Sequence, residues 1–280
     1  FNSTYQFNSF DTDGITVTDD ATGNYGFNGN NETYVSWNWK AGGNSNTFNI
    51  DGTGYSTASA AGLDGGNINP TGASINKTSG FGIYTASPTT STQSISHGLD
   101  SAPEMYIFKT TNAIRDWYVS VNVGGTWKFG TLNTAATFST TTAYTANSNT
   151  MIIGGGGSVN EVVYAFTSKP GFSKVGSYTG SGTATNFITT GFEPAFIMFK
   201  NTTAGNSWVI LDNKRSPVNT RDEALFPNAS DAEYDFGNSG VNFLAKGFSL
   251  TNGTGETNAS GYVYIYLAFA ADGSTATPSL

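Results

Sequence analysis

The sequence predicts an all-β protein of tandem antiparallel β-sandwich modules with an N-terminal half-module. Three observations predict it. Only 11% of the 280 residues are charged, whereas 14% are aromatic and 35 are Gly. Uncharged polar faces, frequent aromatics and closely spaced glycine turns compose strands and hairpins rather than helices. No segment spaces its apolar residues at the helical period, while several alternate with period two. The chain also repeats a unit of roughly 90–100 residues, the mark of a modular array.

The two full copies occupy residues 79–169 and 170–280. The first opens Ser79-Gly80-Phe81-Gly82 and the second Pro170-Gly171-Phe172-Ser173. Each passes through a Gly turn into an apolar strand, Met105-Tyr106-Ile107-Phe108-Lys109 or Phe196-Ile197-Met198-Phe199-Lys200. These strands are apolar on both faces, as central strands between two layers should be. Pro103 and Pro194 stand at strand entry, where a missing N–H does no harm. A Trp follows in each copy, Trp117 and Trp208, and each copy closes on a strand ending Ala-Phe, at Phe166 and Phe269. In the second closing strand Tyr262, Tyr264 and Tyr266 share one face, and Val263, Ile265, Leu267 and Phe269 share the other. The aliphatic face is expected to be core, and the tyrosine face either a second buried layer with its hydroxyls paired, the reading favoured, or an aromatic surface.

Residues 1–41 match the back half of the same unit. Phe10-Asp11-Thr12-Asp13-Gly14-Ile15 lines up with Phe243-Leu244-Ala245-Lys246-Gly247-Phe248, and Tyr34-Val35-Ser36-Trp37-Asn38-Trp39 with the closing strands. The chain therefore starts in mid-module, and with Phe, which reads as a fragment of a longer protein. A native half-module would instead leave strand edges for a neighbouring chain to cover. Residues 42–78 read as a Gly/Asn-rich connector holding a short hairpin turned at Asp51-Gly52. Gly154-Gly155-Gly156-Gly157 lacks the Lys-Ser/Thr of a phosphate loop and is expected to join two strands. Arg221-Asp222-Glu223-Ala224-Leu225, after Thr220 as cap, is the one expected helical turn.

A net charge of −8 without any basic run argues against a nucleic-acid partner. The longest apolar stretch, residues 262–271, is too short to insert across a membrane. Without cysteine there are no disulfides, thiolate metal sites or cysteine nucleophiles. His97 is the single histidine, and Ser96, Asp100 and Ser101 share its turn, where a triad geometry is out of reach. Glu104, Asp116, Asp212, Asp222, Glu223, Asp231 and Glu233 lie in turns or beside Arg and Lys, as solvated loop charges rather than the facing acids of a glycosidase. Asp11-Thr12-Asp13-Gly14 and Asp19-Asp20 read as turn residues, since no closing Glu completes a calcium loop. No catalytic residue, metal or cofactor is expected, and the chain reads as non-enzymatic.

Several motifs together resemble one family. They are Tyr34-Val35-Ser36-Trp37-Asn38-Trp39-Lys40-Ala41-Gly42-Gly43, the Gly80-Phe81 and Gly171-Phe172 openings, Ser177-Tyr178-Thr179-Gly180, and Ser96-His97-Gly98-Leu99 followed by Ala102-Pro103. Leu225-Phe226-Pro227-Asn228-Ala229-Ser230-Asp231-Ala232-Glu233 and Asn258-Ala259-Ser260-Gly261 also match. The chain resembles modular structural proteins of tailed phages of marine bacteria, labelled tail-fibre or uncharacterised virion domains. The resemblance implies a structural or adhesive virion protein, extracellular, such as a tail-fibre or receptor-binding component. Its implied partners are other virion proteins, further copies of itself (a trimer, by fibre precedent) and a host-surface glycan. A capsid decoration or head-fibre protein, and the carbohydrate-binding module of a secreted enzyme, are the alternatives.

Exposed rings among Asn, Ser and Thr suit sugars, because flat rings cover the apolar faces of pyranoses. The ligand-binding residues expected are Trp127, which has no counterpart in the second copy, Tyr55 and Trp117. Trp117 recurs as Trp208 and so also fits a core position. Loops 51–72 and 115–150 are where specificity is expected to reside.

Overall fold

The computed structural model describes residues 7–11, 15–17, 31 and 33–271, and these form an all-β structure. Residues 1–39 make one compact unit and residues 40–280 another. Among the described residues, no helix is long and apolar enough to cross a membrane.

In the first unit β1 (Phe7–Phe10) pairs antiparallel with β2 (Ile15–Val17). Phe10 stands opposite Ile15, just as Phe243 stands opposite Phe248 in the hairpin aligned with it. Asp11 accepts hydrogen bonds from Thr16 Oγ1 at 2.6 Å and Ser9 Oγ at 2.8 Å, which hold its carboxyl below its ordinary value. Asp13, Gly14, Asp19 and Asp20 lie outside the described residues. The closing strand expected over residues 34–39 does not form. In each full module this strand runs between two partners, and among the described residues no ladder partner stands beside 34–39.

The second unit begins with β3 (Phe48–Ile50), β4 (Thr53–Tyr55), β5 (Gly72–Asn76), β6 (Phe81–Ala86) and β7 (Gln93–Ser96). It continues through β8 (Met105–Thr110), β9 (Trp117–Val123), β10 (Thr126–Thr131), β11 (Ser139–Thr140), β12 (Thr150–Ile153) and β13 (Glu161–Phe166). The later strands are β14 (Ser173–Thr179), β15 (Asn186–Thr189), β16 (Pro194–Asn201), β17 (Trp208–Asp212), β18 (Glu223–Ala224), β19 (Tyr234–Asp235), β20 (Val241–Leu244), β21 (Gly247–Leu250) and β22 (Val263–Ala270).

The repeat is visible in the sheet order. The first module carries β9-β8-β13-β6 in its large sheet and β12-β7 in a small one; the second carries β17-β16-β22-β14 and β21-β15. Each module is a sandwich of its large and small sheets. In the first, Tyr84, Tyr106, Phe108 and Val163 of the large sheet share a core with Ile95, Met151 and Ile153 of the small one. In the second, Ile197, Phe199, Val209 and Tyr266 meet Ile188, Val241, Phe243 and Phe248.

The two cores solve one volume problem differently. Tyr84 on β6 lies opposite Val163 on β13, whereas the matching pair in the second module is Gly176 on β14 and Tyr266 on β22. A Cβ on Gly176 would stand 2.5 Å from the Tyr266 ring, so the glycine is what admits that tyrosine.

Residues 42–78 are not a connector. β3, β4 and β5 extend the first module's large sheet to nine strands, with β3 parallel to β5 and β5 antiparallel to β6. The expected hairpin is present: Asp51 and Gly52 both take positive φ, 49° and 84°, as a two-residue turn of matching twist requires. Between β4 and β5 the chain crosses over and buries Ala58 and Leu63 in the core. A parallel pair needs such a crossover, and its Gly- and Asn-rich composition disguised it as linker. The expected helical turn at 221–225 is extended instead. Ala224 is in the core, Leu225 bridges Ile210, and Arg221 bridges Val241, so the backbone is engaged on both sides.

The far faces of the two large sheets are turned toward each other. Met105, Ile107, Val119 and Val121 are buried on the side of β8 and β9 opposite Tyr106 and Phe108. Phe196, Met198, Ile265 and Leu267 are buried on the matching side of the second sheet. Phe166 meets Phe269 edge-on at 6.2 Å, and Phe138 meets Trp208 at 5.8 Å. Trp208 Nε1 donates to Thr131 O at 2.8 Å, and Lys200 Nζ to Asn201 O at 2.7 Å and Ala135 O at 3.2 Å. The aliphatic face of β22 is thus core between modules. Tyr264 and Tyr266 are buried within the second module, and Tyr264 Oη donates to Gly255 O at 2.9 Å. Tyr262 is exposed.

Trp208 is wholly buried and hydrogen-bonded across modules. Trp208→Ala is expected to cost about 3–5 kcal/mol in urea denaturation, in the range of large-to-small core substitutions. Burial lowers the Lys200 amine to about 8 from 10.5. The unfolded chain therefore holds more protons between those values, and stability rises with pH across that window. The stability difference between wild type and Lys200→Met should shift in favour of wild type from about pH 8 to pH 10.

Candidate functional site

Register places a Trp opposite a Lys in both modules: Trp117 faces Lys109 on β8, and Trp208 faces Lys200 on β16. An asparagine side chain holds each Trp in place. The Trp117 N–H donates to Asn133 Oδ1 at 2.8 Å, and the Trp208 N–H to Asn228 Oδ1 at 2.7 Å. In the second module this seat is filled by residues 131–138 of the first. In the first module Trp117 is half-buried and stacks on Tyr164, with ring centroids 6.4 Å apart and planes 24° apart. Lys109 Nζ turns aside to donate to Arg115 O.

From Tyr164 the same face continues across the sheet. Tyr164 is opposite Ile83, Ile83 opposite Ser74, and Ser74 opposite Asn49. Beside Ile83 lies a shallow groove of about 380 Å³ lined by Asn46, Asn49, Thr71, Ser74 and Thr85. The arrangement is a pair of stacked rings leading into amides and hydroxyls. It can cover an apolar ring face and hydrogen-bond its edge, and it presents no charge beyond Lys109 along that row.

The three expected ligand residues do not gather. Trp127 and Tyr55 are both half-buried against the first module's core, and Trp127 lies 5.9 Å from the Tyr106 ring. Trp117 stands on the opposite face. Both expected specificity loops are anchored in the fold, Leu63 filling the core from 51–72 and Phe138 and Tyr144 packing inward from 115–150, while much of 51–72 stays exposed. Ile114, just before Trp117, is fully exposed. Tyr164 and Ile83 were missed as site residues, and their signal was the strand alternation that puts them on the Trp117 face. The signal for Asn133 was its recurrence as Asn228 after the second Trp.

Some titratable groups are bound up in structure. His97 is fully buried; its Nδ1 accepts from the Leu99 N–H at 3.1 Å, so Nε2 carries the proton and donates to Asn147 O at 3.0 Å. Burial lowers its pKa below the ordinary value, with the Asn147 carbonyl opposing. Asp212 is not a solvated loop charge: it is buried and bonded to Arg215 Nε at 2.7 Å. Arg215 also reaches Glu233 at 2.7 Å.

Glu161, passed over in the sequence, is buried under the 154–157 loop that joins β12 to β13. Neither of its oxygens, nor Thr110 Oγ1 beside it, meets hydrogen-bond geometry. Burial pushes the carboxyl above its ordinary 4.5, with the Gly155 and Gly154 amides and the Thr110 hydroxyl pulling the other way. A raised carboxyl stabilises the fold at low pH and loses that contribution as pH rises through its folded value. Wild type should therefore gain stability relative to Glu161→Gln as pH falls from 7 toward 4.5, read by thermal melts across that range.

No curated protein matches this chain, and no solved structure does. One family model matches residues 2–272, spanning the first unit and both modules. The chain belongs to that family, which is described as a domain of unknown function, DUF7483.

Proposed function

We propose that this chain is a non-enzymatic structural and adhesive component of a phage particle, a tail-fibre or receptor-binding protein that contacts host glycan. The observation that carries the adhesive part is the Trp117–Tyr164 stack. Its counterpart Trp208 is sealed inside the molecule, while Trp117 is left half-buried on a sheet face that leads across Tyr164 and Ile83 to a groove of amides and hydroxyls. Stacked rings bordered by such groups suit a hydroxyl-rich ligand with apolar ring faces. The phage part rests on the motif resemblance, to which the charge-poor, cysteine-free composition is suited.

Two experiments test the reading. Antibody labelling of native particles should place the chain at a fibre tip; labelling flat on a capsid would favour a decoration protein. On a glycan array, Trp117→Ala and Tyr164→Ala should each weaken the best ligand at least about tenfold, or about 1.4 kcal/mol. Tyr262→Ala, at an exposed ring of the second module, should leave binding unchanged. Equal binding by all three variants would remove the platform from the reading.

A further inference from the structure

Strand β14 is an outer strand of the second module's large sheet, the position that β6 holds in the first before β5 covers it. Among the described residues β14 has no such cover, and its outward backbone groups are those of Ser173, Val175, Ser177 and Thr179. Ser173 is closed off locally, exchanging both bonds with Lys169. The Val175 N–H donates to Ser168 Oγ at 3.0 Å, and the Thr179 C=O accepts from Asn186 Nδ2 at 3.0 Å. Four groups remain without a partner among the described residues: the Val175 C=O, the Ser177 N–H and C=O, and the Thr179 N–H.

Those four groups are what a twofold axis at Ser177 would use. In an antiparallel pair centred there, the Ser177 N–H donates to the C=O of the partner's Ser177, and the reverse bond forms equally. The next bonds run from the Thr179 N–H to the C=O of the partner's Val175, again in both directions. The groups this pairing would place facing each other next, Val175 N–H and Thr179 C=O, are the ones the chain has already satisfied with its own side chains. A polar groove of about 740 Å³ lies alongside, lined by Val175, Ser177, Thr179, Asn186, Asn122 and Phe187, and Phe187 is 48% exposed.

We propose that β14 is a homodimerisation edge, on which the β14 strand of a second copy pairs antiparallel about a twofold axis at Ser177. Pairing joins two four-stranded sheets into one of eight and covers Phe187. The contact is isologous, so it closes at two copies. A flat open edge is otherwise a site of uncontrolled pairing; here the capped groups at both ends limit the register to one.

The test is sedimentation velocity of the full chain across micromolar concentrations, with three variants. Ser177→Pro removes the outward N–H without touching the β22 ladder, and an outer strand tolerates proline there. It should weaken association at least about tenfold while keeping the wild-type melting temperature. Phe187→Ser should weaken association as well. Ser177→Cys adds the only thiol to the chain; paired residues about 5.5 Å apart fall within disulfide range, so oxidation should yield a covalent dimer. A wild type that stays monomeric with Ser177→Cys remaining reduced would overturn the proposal. So would a dimer indifferent to both Ser177→Pro and Phe187→Ser.

Discussion

Each large sheet has to be covered on both faces, and that requirement organises the molecule. One face of each meets its own small sheet; the other meets the other module. This is why the central strands are apolar at every position rather than at alternate ones. It is also why two repeats that could each stand as a sandwich form a single unit. The inter-module layer is not purely apolar. Trp208 carries an N–H that must find an acceptor, and Thr131 supplies it. Lys200, buried without a carboxylate, is accepted by the carbonyls of its neighbour Asn201 and of Ala135 in the other module. Such groups cost desolvation and are satisfied in only one arrangement, so they fix how the modules are seated.

The same layer explains the candidate site. The second module covers Met105, Ile107, Val119 and Phe166 and leaves Trp117, Tyr164 and Ile83, further along the same strands or beside them, only half-buried. What is left over is a strip of the same apolar, ring-bearing face, grading into Ser74 and Thr71 where β5 extends the sheet. The platform is therefore the unfilled part of an interface used elsewhere in the molecule.

The sequence made much of this legible. The two central strands, the Ala-Phe closers, the Trp positions and the Asp51-Gly52 hairpin all follow from alternation and repeat alignment. Three things were hidden. Strand β5 and its pairing with β3 were lost in Gly- and Asn-rich sequence, because a parallel pair leaves no local turn signal. The segment 221–225 read as helical from its residue types, while long-range bridges to Ile210 and Val241 decided its backbone. Of the expected site residues, Trp127 and Tyr55 lie on the core face and Trp117 on the opposite one. Which face stays open depends on where a neighbouring sheet ends, and no local pattern encodes that.

The exchange of Tyr84 and Val163 for Gly176 and Tyr266 bears on descent. Both modules place one ring in the same layer of the core, but from different strands. If both descend from a single unit, at least one lineage moved that ring across the ladder. A single substitution cannot do so: either both positions hold a ring and collide, or neither does and a hole remains. The move implies a passage through a weakened core, tolerable while the companion module carried the stability of the pair. Duplication would then have supplied the shelter in which the two cores drifted apart.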